Sequence, residues 1–250
     1  MTQNINDWFD ANLFTLNLHK THFIRYWTKN ISLKDFDSSH GYIKIAMVDN
    51  TKFIGLALDY SLTWRTHIDA IAPRVTSACF ALRLLKPPLS RNALRMVYFS
   101  YFHSIISYGV IFWRTSRHSS IIFRLQKRAI RIITGIICRE QFRMLKILSL
   151  QSQYILSLQL FLIDNREHFR VNTEIHHINK RYRLNLHPPM THLSVYQKGA
   201  HYSGIKMFYS LPTHIKELSH NTNHLNVPWR IFCILTHFML WMNKLNVKIL

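Results

Sequence analysis

Arg124, Lys127, Arg128 and Arg131 stand at i, i+3, i+4 and i+7. On a helix that spacing places four cations on one stripe, opposite an apolar face. From Ala70 to Arg139 the chain carries 12 Lys or Arg residues and no Asp or Glu. Such a stripe repels itself unless something anionic lies against it, and a phosphate backbone is the leading partner. An anionic membrane surface is a competing partner, and a solvated basic face needs none. Trp113 and Arg117 are expected to flank the approach to this stripe.

Other chemistry is scarce. Two-metal nucleotidyl transfer needs carboxylates a few ångströms apart to hold both ions. The close acidic pairs are Asp7/Asp10 and Asp35/Asp37, and neither has a context beyond ordinary surface solvation. His176 and His177, with His187 and His192 downstream, lack the Cys or the helical ligand pair of a zinc site. There is no G-x-S-x-G, no P-loop and no dinucleotide fingerprint. These residues make no complete active site, and they imply neither a bound cofactor or metal nor a small-molecule substrate.

The elements that must position the stripe follow from composition and period. A chain of 250 residues, 48% hydrophobic and 13% aromatic, is long and apolar enough for one or two cored domains. A net charge of +20 again favours an anionic partner. Cys79, Cys138 and Cys233 are too few and scattered for a disulfide framework, which suits a reducing, intracellular compartment. The opening "MTQNINDWFDANLF" has acids where a signal peptide needs a basic start and an apolar run.

Ile5, Trp8, Phe9, Leu13 and Leu16 predict an amphipathic helix over 4–16. "THFIRYW", "IKIAMV" and "TKFIGLALD" read as short strands, and Gly55 inside the last implies a bend or a close backbone approach. From Trp64 the period changes to helical. Ile68, Ile71, Ala72, Val75, Ala78, Cys79, Leu82 and Leu85 form one face, with Pro73 expected to trim or kink its start and Pro87–Pro88 to stop it. Ser90 or Asn92 caps the next helix, whose apolar continuation "SYFHSIISYGVIFW" (100–113) reads as the most buried helix of a bundle. A third helix runs over about 119–134, with Ile122, Leu125, Ala129, Ile132 and Ile133 inward and Gly135 as its stop. A fourth covers about 141–163, and "SGIKMFYSLPTHIKEL" holds one more.

The apolar run from Met96 to Trp113 does not suit a membrane span. It barely reaches the length of about 20 residues required, and Ser100, His103, Ser104, Ser107 and Tyr108 interrupt it.

Five blocks in order then carry a family resemblance: "WFDANLFTLNLHKTHFI", "TKFIGLALDYSLTWRTHID", "LKPPLSRNALRMVYFSYFHSIISYGVIFW", "IFRLQKRAIRIITG" and "LKILSLQSQYILSL". Together they resemble the end of the reverse transcriptase of jockey-like non-LTR retrotransposons, over about residues 4–220. The resemblance implies an α+β, mainly α fold. In it 1–62 is the end of the palm, 63–165 a thumb-like helical bundle, and 166–250 a C-terminal extension with a poorly ordered tail. It also implies a primer–template duplex of RNA and DNA as the partner. Asn17 and Lys20 match the palm motif whose lysine lies near the incoming nucleotide's phosphates. Phe53, Ile54, Gly55 and Leu56 match the turn that grips the primer end.

Departures from the family pattern are as informative. The family's metal-binding carboxylates, its Asp-Asp motif included, lie upstream of the first block, so Mg2+ is implied only for the intact enzyme. Arg114 stands where the family has glycine, Ser149 where it has proline, and "GIICREQF" is shortened. The resemblance thus implies a truncated copy that keeps primer–template-binding elements without independent polymerase activity. The alternatives are a basic nucleic-acid-binding helical module without catalysis, or a protein-interaction bundle. From His224 onward "HLNVPWRIFCILTHFMLWMN" does not resemble the family, yet a back-translation read from the third base gives "FKRALENFLHTH", a family-like ending. Residues 224–250 are therefore expected to be out of frame.

Overall fold

The computed structural model describes residues 2–15, 17, 20–26, 39–40, 43–136, 139–176 and 185–210. Expectations for Asp35/Asp37, His177, Cys138, Cys233 and the out-of-frame tail lie outside them. The described chain is mainly helical with a few short strands, an α+β fold dominated by helix. It divides into two compact units, 1–71 and 72 onward.

The first unit begins with helix α1 (Thr2–Ala11). It ends short of the expected Leu16, because Leu13 takes a left-handed φ of 56° and is 95% exposed. A helical carbonyl ladder does not continue through such a residue. Strand β1 (His22–Phe23) pairs in parallel with β4 (Ala46–Met47), and β2 (Ser39–His40) pairs antiparallel with β3 (Ile43–Lys44). The one longer ladder is a hairpin of β5 (Asn50–Phe53) and β6 (Leu56–Asp59), with Phe53 opposite Leu56. Two residues close it, Ile54 at φ 44° and Gly55 at φ 76°. Consecutive positive φ values are what a type I′ hairpin turn requires, so the bend expected at Gly55 is this turn.

Helix α2 (Arg65–Leu85) buries Ile68, Ile71, Val75, Ala78, Cys79 and Leu82 along the predicted face. Pro73 lies inside it rather than trimming its start, because the helix begins eight residues earlier. The missing Pro73 N–H leaves a gap in the ladder one turn back, and one turn on the Thr76 and Ser77 hydroxyls bond to the Ala72 and Pro73 carbonyls.

In the second unit, Ser90 caps α3 (Arg91–Val97) by accepting the Ala93 N–H at 3.3 Å. The apolar run that follows is not one regular helix. α3 passes into a π-helical stretch, Tyr98–His103, then α4 (Ser104–Ser107), then a break at Gly109 (φ 59°) before α5 (Val110–Trp113). Its inward residues are Tyr98, Phe102, Ile105, Ile106, Val110 and Trp113, while Tyr101, Tyr108 and Phe112 remain partly exposed.

Helix α6 (Ser120–Thr134) ends at Gly135, whose φ of 88° disfavours any side chain. The expected fourth helix is two: α7 (Arg139–Met144) and α8 (Leu150–Asp164). Lys146 at φ 52° ends the first, and the Ser149 hydroxyl, accepting the Ser152 N–H at 3.2 Å, starts the second. α8 is the most buried helix. Leu150, Tyr154, Ile155, Leu156, Leu158, Gln159 and Leu162 are all inside, covering more than one face. It packs along α11 (Ala200–Tyr209), reached through two short helices, α9 (Asn172–His176) and α10 (Ser194–Gln197). Leu162, Phe169, Leu186, Ile205 and Phe208 close a cluster there, so residues beyond 165 share the bundle's core.

Candidate nucleic-acid interface

α6 sorts its residues by face. Ile122, Gln126, Ala129, Ile130, Ile132 and Ile133 are buried, whereas Arg124 and Arg131 are exposed and Lys127 and Arg128 half-buried. Leu125, expected inward, is half-buried at the edge of the apolar face, where its carbonyl accepts the Cys79 thiol at 3.6 Å. The four cations share the outward stripe. The ion pairs among the described residues are Arg65–Asp69, Arg143–Glu140 and His168–Glu167, and none draws on these four. Lys127 Nζ sits 4.6 Å above the Phe123 ring, a cation–π contact one turn back along the helix.

A buried amide fixes where that stripe points. Gln126 Nε2 donates to the Tyr98 hydroxyl and to the Leu148 carbonyl, both at 2.9 Å, and its Oε1 accepts the Leu150 N–H at 2.8 Å. Side chain and partners thus tie α6 to the π-helical stretch and to the start of α8. Burial pushes the Tyr98 phenol well above its ordinary pKa, so it stays a neutral hydroxyl. The sequence carries a signal for Gln126: a polar residue at a core position, four after Ile122 and three before Ala129.

Trp113 does not flank the approach. It is fully buried, with its indole N–H donating to the Tyr108 carbonyl at 3.0 Å. A ring of that size gains more from burial than from exposure beside a basic stripe. Arg117 is exposed, in the 3₁₀ turn Arg117–Ser119 that leads into α6. Arg114, where the resembled family has glycine, is partly buried. It donates to the Ser119 hydroxyl at 3.1 Å, and desolvation lowers its pKa.

The remaining expected residues lie in the first unit. Asn17 and Lys20 come together: the Lys20 N–H donates to the Asn17 carbonyl at 3.1 Å and to its Oδ1 at 3.2 Å, and both side chains are exposed. At the hairpin tip Phe53 and Ile54 are 61% and 71% exposed. An exposed β-branched residue with positive φ is a strained choice, since an asparagine or glycine adopts it at less cost.

Two residues not singled out from sequence hold that hairpin. Asp59 is buried and accepts the Thr63 N–H at 2.7 Å and the Thr63 hydroxyl, closing the loop into α2. His67 is also buried, and its Nδ1 accepts the Ala57 N–H at 3.4 Å. Their signal is local, an Asp at a strand end four residues before Thr, but it is common to many Asp-capped loops.

Among the described residues no three His, Cys, Asp or Glu side chains converge into a group able to hold a metal ion. Asp7 and Asp10 are exposed on α1, and Asp59 is committed to Thr63. The donor set for a two-metal centre is therefore not met by these residues. No helix among them is long and apolar enough to cross a membrane.

No family model, no curated protein and no solved structure matches this chain.

Proposed function

We propose that this chain binds the phosphate backbone of a primer–template duplex, as the palm end and thumb of a jockey-like non-LTR reverse transcriptase. In this reading it does not itself transfer nucleotides, and no cofactor is held. One observation supports the reading above all: four cations on the solvent side of α6, within a span of the chain that has no acid. Like charges clustered on one helix face raise the local positive potential, which an anion laid against them relieves. The exposed hairpin tip at Phe53–Gly55 and the Asn17–Lys20 turn supply, by family resemblance, the primer-gripping and phosphate-proximal elements. A bare basic module would use the same stripe without needing those two elements.

The test is duplex binding by the full chain as salt is varied. If the four cations neutralise four phosphates, log K falls against log salt with a slope of about −3.6. Replacing Arg124, Lys127, Arg128 and Arg131 with Gln flattens most of that slope. An unchanged slope removes the stripe from the interface.

A further inference from the structure

We infer that the phosphate-binding surface extends across the seam between α6 and α2, with Arg83 of α2 as a further phosphate-binding residue opposite Arg128. The inference rests on the duplex-binding reading of the stripe and enlarges it from one helix to two.

The seam is marked by the Cys79 thiol, which donates to the Leu125 carbonyl at 3.6 Å. Arg83 lies one turn along α2 from Cys79, and Arg128 lies three residues along α6 from Leu125. At those spacings both side chains leave their helices on the side of the contact. Of the four stripe residues, Arg128 stands closest in angle to Leu125 and Lys127 farthest, at about 100° per residue. Arg83 is exposed and Arg128 half-buried, so both reach solvent beside the same thiol.

Electrostatics agrees with that placement. Burial pushes the Cys79 thiol up to about 11, while Arg128 and Arg83 both pull it down. A buried sulfur thus senses the two guanidinium groups at once. No carboxylate occurs from residue 70 to 139, and the ion pairs among the described residues draw on neither arginine. Lys86, exposed in the turn just past the end of α2, is a further cation three residues on from Arg83. Two arginines from different helices, both acting on one thiol, suit a chain of phosphodiesters running over the seam. Guanidinium groups favour such a ligand because their forked donors match phosphate oxygens.

Arg74 supplies the control. It is exposed on α2 and carries the same charge, but it leaves the helix on nearly the opposite side from Cys79. The experiment titrates the full chain and its Arg83→Gln, Arg128→Gln and Arg74→Gln variants with an RNA–DNA hybrid duplex of about 20 base pairs. Fluorescence anisotropy is read at several salt concentrations, after thermal unfolding shows each variant folded. Arg83→Gln and Arg128→Gln should each reduce the magnitude of the salt slope by about 0.9, while Arg74→Gln leaves it unchanged. If Arg83→Gln behaves like Arg74→Gln while Arg128→Gln still reduces the slope, the seam is wrong and the α6 stripe stands. Equal reductions in all three variants would mean diffuse attraction to net charge, which also overturns the seam. If neither Arg128→Gln nor the fourfold α6 variant changes the slope, the duplex-binding reading itself fails.

Discussion

The amide nitrogen of Gln126 lies 2.9 Å from the Tyr98 hydroxyl, with both residues fully buried. Because Gln126 also holds the Leu148 carbonyl and the Leu150 N–H, one side chain sets the orientation of the basic helix. Gln126→Leu should therefore lower stability by about 3 kcal/mol, since the carbonyl, the N–H and the phenol lose a partner together. Urea unfolding followed by circular dichroism measures it, with a lower midpoint and an unchanged m value. A loss under about 1 kcal/mol would mean that water replaces the amide without cost.

Ile54 makes the opposite prediction. Its side chain is mostly in solvent and its φ is 44°, so Ile54→Asn should stabilise the first unit by about 1 kcal/mol. A higher thermal midpoint is the expected result. A lower one would show that the isoleucine makes contacts worth more than its backbone strain.

His103 imposes a pH dependence on the second unit. Its Nδ1 is buried without a hydrogen-bond partner among the described residues, and the Tyr98 and Phe99 rings lie 6.2 and 5.3 Å away. Desolvation lowers its pKa below the ordinary 6.5. The unfolded chain then binds a proton that the folded chain does not. Its contribution to stability is present above pH 6.5 and is lost as pH falls towards the depressed folded value. Unfolding followed at pH 7.5 and at pH 5.5 should show less stability at the lower pH, and His103→Phe should shrink the difference. An unaltered difference in that variant would locate the titration elsewhere.

Nucleotide transfer gives the last prediction. The purified chain, offered a primed RNA template, nucleoside triphosphates and either Mg2+ or Mn2+, should extend no primer. Two-metal transfer needs converging ligands, and the described residues bring no three His, Cys, Asp or Glu side chains together. Extension that disappears in Lys20→Ala would refute this and restore Lys20 to an active centre.

Period and punctuation in the sequence determine most of the helices. The α2 face from Ile68 to Leu82, the Ser90 cap, the Gly135 stop and the stripe on α6 all follow from side-chain spacing, because each is a local property of one helix. The tertiary structure decides what depends on distant partners. Trp113 reads as a flanking aromatic until packing takes it out of solvent. Residues 141–163 read as one helix because apolar spacing continues across the turn at Lys146 and the cap at Ser149, which local pattern does not distinguish. Gln126 reads as a polar interruption, and only the arrival of Tyr98, Leu148 and Leu150 makes it a clamp. Arg83, 41 positions before Arg124 in the chain, joins the candidate interface for the same reason. A helix face is written in residues three or four apart, whereas a seam between two helices exists only after both have packed.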